Sequence, residues 1–389
     1  MGVRWSGSTR SDIVGAYNVA GNECFLNYDT WSPRLMMRTP RVLLLALAAL
    51  PLLAGADTPA TGGLDIYFID VMGGAATLIV TPERESILID SGWPGLDDRD
   101  PKRIISVLKD EAKLQRIDHL VTTHWHRDHF GGVEGLAKLV PIGKFWDRGL
   151  PDLNAADGDK VNFPDGPTVT DPLGIAYRKA TEGKRMTLKA GDHFTLKGNL
   201  EARVLAASGV VIGSDKSVPN PLCEAAPANM PTDPSDNAKS VVLQFRLGKF
   251  DFFDAGDLTW NIEKYLVCPT NLIGNNVDVY QVTHHGMDNS NHPTLIASIA
   301  PTVAIMNNGP KKGGSPLTVA RLREVSSIQA AYQLHKNADT DPSKNTSAEL
   351  IANREATGGE FIHLSVLPDG SSYRVTIGRG GDSREFRSR

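Results

Sequence analysis

The sequence predicts an α/β protein in which two groups of strands pack face to face with helices outside them, an αββα sandwich. Three observations lead there. Apolar strand-like runs gather in an N-terminal and a C-terminal group, helix-like segments lie between and around them, and no internal repeat or Pro/Gly linker separates two cores. One catalytic domain is therefore expected.

The elements follow in order. Strand-like runs occupy Asp65–Val71, Thr77–Thr81 and Ser86–Ile89. The helix-like Pro101–Lys113 opens on proline, which suits a first helical turn because an N–H there has no partner to lose. A strand at Ile117–Thr123, a short helix at Val133–Leu139 and a strand at Lys144–Trp146 come next. Residues 147–235 are rich in Pro, Gly, Asp and Ser and read as a loop-rich insertion, with a helix near Leu173–Thr181 and strands at Arg185–Leu188 and Leu200–Leu205. Such loops on a rigid scaffold carry specificity, so this region is expected to shape the substrate site. Leu247-Gly248-Lys249 between Val241–Phe245 and Phe250–Phe253 signals a hairpin. A helix at Trp260–Leu266 and a strand ending at His284 follow, then helix Pro293–Ile299, strand Thr302–Met306, helix Leu317–Val325 and strand Tyr332–His335. Phe361–Val366 and Ser372–Ile377, split by Pro368-Asp369-Gly370, form a last hairpin.

The composition is that of a globular protein: 389 residues, 41% hydrophobic and 22% charged. Residues 42–54 are an apolar run broken by Pro51, too short to span a membrane. Arg38 and Arg41 precede it and Ala54-Gly55-Ala56 follows, so residues 36–56 read as a secretory signal peptide. Met36 and Met37 sit directly before that run. Residues 1–35 are polar and patternless, and are expected to be a non-native upstream extension or disordered. The mature chain, 57–389, is expected to be periplasmic or secreted, with no membrane span. The net charge of −4 argues against non-specific nucleic-acid binding, which needs a basic surface to neutralise phosphates. Cys223 and Cys268 remain after cleavage, and neither belongs to a C-x-x-C pair. An oxidising compartment allows them one disulfide; the spacing alone leaves open whether they pair.

The chemistry concentrates at His124-Trp125-His126-Arg127-Asp128-His129, directly before Phe130-Gly131-Gly132. His124 and His126 are two apart, so extended backbone points both imidazoles the same way. Asp128 and His129 lie where the chain can turn and offer a second cluster. Imidazole nitrogen and carboxylate oxygen are the usual ligands of a catalytic zinc, which keeps a position open for water. Three further pieces accompany this run. Ser86–Ile89 is an apolar run ending in Asp90-Ser91-Gly92, Phe252-Phe253-Asp254-Ala255 leads into Gly256-Asp257, and Val279–Thr283 leads into His284-His285-Gly286.

The run resembles the H-x-H-x-D-H signature of the metallo-β-lactamase superfamily, and the other pieces occur in that family's order from about Leu64 to Gly286. Asp70–Thr77 resembles the D-V-G-x-G-D-A opening of the hydrolase domain attached to bacterial DNA-uptake channels, as do the Gly-Asp and His-His-Gly elements. Met72 and Ala75 depart from that opening, and the channel helices are lacking, so the chain looks like a stand-alone relative.

The resemblance implies a metallo-β-lactamase-type fold and a binuclear zinc hydrolase. His124 and His126 would hold one ion, Asp128 and His129 the other, Asp257 would bridge, and His285 would complete the second set. His284 is the alternative to His285, and otherwise a catalytic or second-layer imidazole. Asp128 would also orient the nucleophile, and Asp90 would fix a ligand imidazole rather than bind metal. The family's middle histidine is missing. His193, the sole histidine between His129 and Asp257, reads as a surface residue, and water, Asn237 or Ser240 remain to fill the gap. Trp125 could wall the pocket, but aromatic residues are more often core than substrate stackers, and it is given no site role. Asn307–Gly314 reads as a solvated loop, the other reading being that its lysines and amides hold an anionic group. The sequence singles out no substrate-binding residue.

By the same resemblance the favoured substrate is a phosphodiester. A lactone or β-lactam is the alternative, and a mononuclear iron persulfide-type oxidoreductase a further one. A non-catalytic binding module ranks last because the ligand set is nearly complete.

Overall fold

The computed structural model describes residues 62–150, 167, 171–213 and 218–389. The expected upstream extension and signal peptide fall outside the described residues, as does part of the loop-rich insertion.

Seventeen strands are described. The N-terminal ones are β1 (Leu64–Phe68), β2 (Thr77–Val80), β3 (Ser86–Ile89), β4 (Ile117–Thr122), β5 (Ile142–Asp147) and β6 (Arg185–Thr187). Next come β7 (Glu201–Ala207), β8 (Val210–Val211), β9 (Val242–Leu247), β10 (Phe250–Asp254), β11 (Val279–Gln281), β12 (Val303–Met306), β13 (Ala330–His335) and β14 (Ile351–Asn353). The chain closes with β15 (Ile362–Val366), β16 (Ser372–Ile377) and β17 (Ser383–Arg387). One sheet runs β17-β16-β15-β1-β2-β3-β4-β5-β6 and the other β14-β13-β12-β11-β10-β9-β7-β8.

Strand alternation sorts side chains between two cores. On β1, Leu64, Ile66 and Phe68 join Val121, Leu243, Phe245, Phe252 and Ile305 between the sheets. Tyr67 points the other way, into a core with Ile104, Leu108, Val133 and Leu136. Those residues come from α1 (Arg99–Ser106), its continuation Val107–Glu111 and, beyond the short α2 (Arg127–Phe130), from α3 (Val133–Leu139). On the far side Phe253, Tyr280 and Met306 pack against Leu295, Ile296, Val319 and Leu322. After α4 (Pro172–Thr181) and α5 (Trp260–Tyr265), these belong to α6 (Pro293–Ile299) and α7 (Pro316–Glu324). The layers are helix, sheet, sheet, helix: the metallo-β-lactamase fold.

The described part of the loop-rich region carries regular structure. Asp147 still belongs to β5, and β7 pairs with β9 inside the second sheet. The C-terminal hairpin is part of the first sheet, because β15 pairs antiparallel with β1, Leu64 opposite Val366. Strands β14 and β17 carry no alternation strong enough to signal them.

A disulfide links Cys223 to Cys268, with Cα atoms 5.8 Å apart. Asn220 N donates to Pro269 O, and Met230 and Asn261 exchange two hydrogen bonds, so the 218–235 segment is held against the start and end of α5. Among the described residues no helix is long and apolar enough to cross a membrane.

Candidate metal centre

The carboxyl ends of β3 and β4 in one sheet, and of β10, β11 and β12 in the other, meet at one rim of the sandwich. Strands β3–β4 and β10–β11–β12 are parallel, and the crevice beyond such strand ends is where ligands bind in open α/β sheets. Every predicted site residue lies there. Asp90 follows β3. His124, His126, Asp128 and His129 follow β4, the last two on α2. Asp257 sits in the turn after β10, and His284 and His285 in the turn after β11. His284 N donates to Gly256 O at 2.9 Å, tying the last two turns together.

Two donor groups converge: Asp128, His129, Asp257 and His285, and His124, His126 and Asp257. Asp257 belongs to both. Its Oδ2 lies 3.2 Å from His129 Nε2, 3.3 Å from His285 Nε2, 3.6 Å from His284 Nε2 and 3.8 Å from His124 Nε2. Asp128 Oδ2 lies 3.2 Å from His285 Nε2 and 3.3 Å from His129 Nε2.

Hydrogen bonds at the far sides of these rings decide which nitrogen carries the proton. Asp90 Oδ2 lies 2.7 Å from His129 Nδ1, and Asn307 O lies 3.0 Å from His285 Nδ1. A carboxylate and a carbonyl accept only, so both Nδ1 atoms are N–H donors. Thr123 Oγ1 gives its proton to Asp90 Oδ2 at 2.8 Å and so accepts from His124 Nδ1 at 3.0 Å. In their neutral forms His124, His129 and His285 therefore turn bare Nε2 lone pairs inward. The Nε2 atoms of His129 and His285 are 3.2 Å apart, and His124 Nε2 is buried without a hydrogen-bond partner. Converging lone pairs and carboxylate oxygens need a positive centre between them. The residues fit a divalent metal, with His129, His285, Asp128 and Asp257 able to hold one ion and His124, His126 and Asp257 another.

The electrostatics mark a centre that draws positive charge. Burial opposes ionisation of Asp257, but His129, His285 and His284 overcome it and hold the carboxyl well below the usual range. Asp128 behaves alike, with burial outweighed by His129, His285 and Lys312. Burial and the neighbouring His129 push His124 well down. For His129 the carboxylates of Asp257, Asp90 and Asp128 outweigh burial and push it up, so this ring keeps a proton on Nε2 unless a cation takes that proton's place among the carboxylates.

Local backbone supports the cluster. Gly74 packs so closely on the Asp128 carbonyl that a Cβ there would overlap it, and Gly313 stands likewise against the His285 carbonyl. His284 and His285 both adopt left-handed backbone, at φ 55° and 54°. For non-glycine residues that costs on the order of 1–3 kcal/mol each, strain that tends to gather at functional sites.

Several contributors carry little signal in the sequence. Lys312 corrects the solvated-loop reading of Asn307–Gly314: its ammonium pairs with Asp128 Oδ2 and lies 5.3 Å from the Trp93 ring centroid. Only the lysines and amides of that segment signalled this. Asp236 accepts from Trp125 N at 2.6 Å and pairs with Arg148, which anchors the loop bearing Asn237. Asn237 Nδ2 comes within 3.4 Å of His284 Nε2. His193 is exposed and away from the cluster, and Trp125 is buried in the core with Phe130 and Tyr177.

The family model of the metallo-beta-lactamase superfamily matches residues 69–185. The chain is 40% identical over 73 residues to an atrochrysone carboxyl ACP thioesterase of Aspergillus terreus, 18% of this chain and 20% of that protein. It is 28% identical over 156 residues to a beta-lactamase-like protein 2 homolog of Caenorhabditis elegans, 37% of this chain and 47% of that one. These matches thus span less than half of the relatives' length. Among solved structures, a putative metal-dependent hydrolase of Parabacteroides distasonis aligns with 69% of this chain and 92% of its own, at 14% identity and a TM-score of 0.38. Membership of the metallo-beta-lactamase superfamily, one of metal-dependent hydrolases, is supported by the family model.

Proposed function

We propose that this superfamily member is an exported, binuclear zinc hydrolase whose favoured substrates are phosphodiesters. The observation that carries the substrate class is Lys312. Its ammonium sits on Asp128, beside the converging donors and over Trp93, on a side chain that is one-third exposed. A fixed positive charge there favours a substrate whose negative charge lies on the reacting group itself. A phosphodiester has that property. A β-lactam carries its carboxylate apart from the scissile carbonyl, and a lactone is neutral. The likeness of Asp70–Thr77, Gly256-Asp257 and His284-His285-Gly286 to the DNA-uptake hydrolases supports the same class, as analogy.

A bound zinc would supply hydroxide near neutral pH by lowering the pKa of its water from about 15.7 toward about 7. The chain's own residues do the rest. Asp257 presents one carboxylate to both donor groups. Asp128 lies within reach of Lys312 and His285, placed to hold the nucleophile's proton while the ammonium balances substrate charge. Asp90 and Asn307 O keep the imidazole protons on the outer nitrogens. The Cys223–Cys268 disulfide supports export, because such bonds persist in oxidising compartments.

The test is a substrate panel with the zinc-loaded protein: bis(p-nitrophenyl) phosphate, a chromogenic cephalosporin and a simple lactone. Turnover of the diester well above the other two is expected. Preferential opening of the lactam or lactone would replace this reading.

A further inference from the structure

We propose that His284 is the third imidazole of the first metal group, taking the place of the histidine that the family pattern puts between the signature and Asp257. The two consecutive histidines then serve different ions, His284 with His124 and His126, and His285 with Asp128 and His129. The inference rests on the metal-dependent reading above and extends its ligand set.

Proton placement is the first argument. Ser290 Oγ donates to Leu258 O at 2.7 Å and lies 3.1 Å from His284 Nδ1. A hydroxyl has one proton, and a carbonyl can only accept. Ser290 therefore accepts from His284 Nδ1–H, and neutral His284 presents a bare Nε2.

The second argument is where that lone pair points. His284 Nε2 lies 3.6 Å from Asp257 Oδ2, the oxygen that also lies 3.8 Å from His124 Nε2. Two imidazole nitrogens thus lie near one carboxylate oxygen, an arrangement that a cation among them would satisfy. The Asn237 amide approaches Nε2 only at 3.4 Å, the long limit of a hydrogen bond, while its Oδ1 is buried without a partner.

The third is backbone. An extended strand sends successive side chains to opposite faces. Two left-handed residues in succession instead bring both rings onto Asp257, with centroids 6.1 Å apart.

The test is cobalt(II) titration of the metal-stripped full chain, read by visible absorption and by metal content. Wild type is compared with His284→Asn, His285→Asn and Ser290→Ala; asparagine tolerates left-handed backbone, which guards the fold. Wild type is expected to bind two ions. His284→Asn should weaken one of them at least tenfold and alter its absorption, and His285→Asn should weaken the other. Ser290→Ala should weaken the His284 ion by roughly 10- to 100-fold, the usual effect of losing a ligand's outer partner. If His284→Asn misfolds, Ser290→Ala decides. Wild-type cobalt affinity and spectrum in both His284→Asn and Ser290→Ala would overturn the proposal alone. A wild type that binds no cobalt would overturn the metal-dependent reading with it.

Discussion

Asp90 Oδ2 lies 2.7 Å from His129 Nδ1, and the same carboxylate takes Thr123 N and Thr123 Oγ1 at 2.8 Å each. One buried carboxylate thereby orients His129 directly and His124 through the threonine hydroxyl. Replacing it by an amide puts an N–H donor against Nδ1 and favours the proton on Nε2, where a ligand needs a lone pair. Asp90→Asn is expected to lower zinc affinity by roughly 10- to 100-fold. Competition with a chromophoric chelator measures this, with melting temperature as the folding control.

Lys312 is expected to act on substrate charge. Lys312→Met should lower kcat/KM for an anionic phosphodiester by about tenfold or more, the scale of a lost charge-assisted contact of about 1.5–3 kcal/mol. Hydrolysis of a neutral aryl ester should change far less. Equal losses on both substrates would assign Lys312 to holding Asp128 rather than to charge recognition.

The Cys223–Cys268 bond closes a loop across 45 residues of sequence. Cross-links of that span stabilise by about 2–4 kcal/mol, chiefly by restricting the unfolded chain. The double Cys223→Ser, Cys268→Ser variant should therefore melt several degrees lower, with the loss abolished when wild type is compared under full reduction. Differential scanning calorimetry with and without reductant reads both arms.

Glu263 of α5 is fully buried, and burial pushes its carboxyl up to about 7 against the pull of the His292 backbone N–H. A carboxyl raised on folding binds its proton more tightly in the native state. Its contribution to stability is fully present below the unfolded value near 4.5 and is lost as pH rises through about 7. Glu263→Gln should flatten the fall in melting temperature between pH 4.5 and pH 7 and raise the melting temperature at pH 8. Parallel wild-type and variant curves across that range would contradict this assignment.

Much of the molecule was legible in the sequence because its signals are local. Strands β1 to β4 and β9 to β12 are buried apolar runs, and Pro293 in the first turn marks a helix start. The six-residue signature, Gly256-Asp257 and His284-His285-Gly286 announce themselves by residue type. What stayed hidden depends on distant contacts. Strand β17 reads Ser-Arg-Glu-Phe-Arg, and its pairing with β16 is a backbone matter. Ser290, Asn307 and Asp236 act through single hydrogen bonds made by the fold. Lys312 is one lysine of a polar loop until β12 carries that loop to Asp128.

The central claim is metal-dependent phosphodiester hydrolysis at the Asp257-centred cluster. Its most direct test is the turnover of bis(p-nitrophenyl) phosphate by metal-stripped protein, by the same protein reloaded with zinc, and by zinc-treated Asp128→Ala. The account predicts activity only in the reloaded wild type, with loss of at least a hundredfold in Asp128→Ala. Turnover that survives stripping or the substitution, or a reloaded wild type that holds zinc and leaves the diester intact, would contradict it.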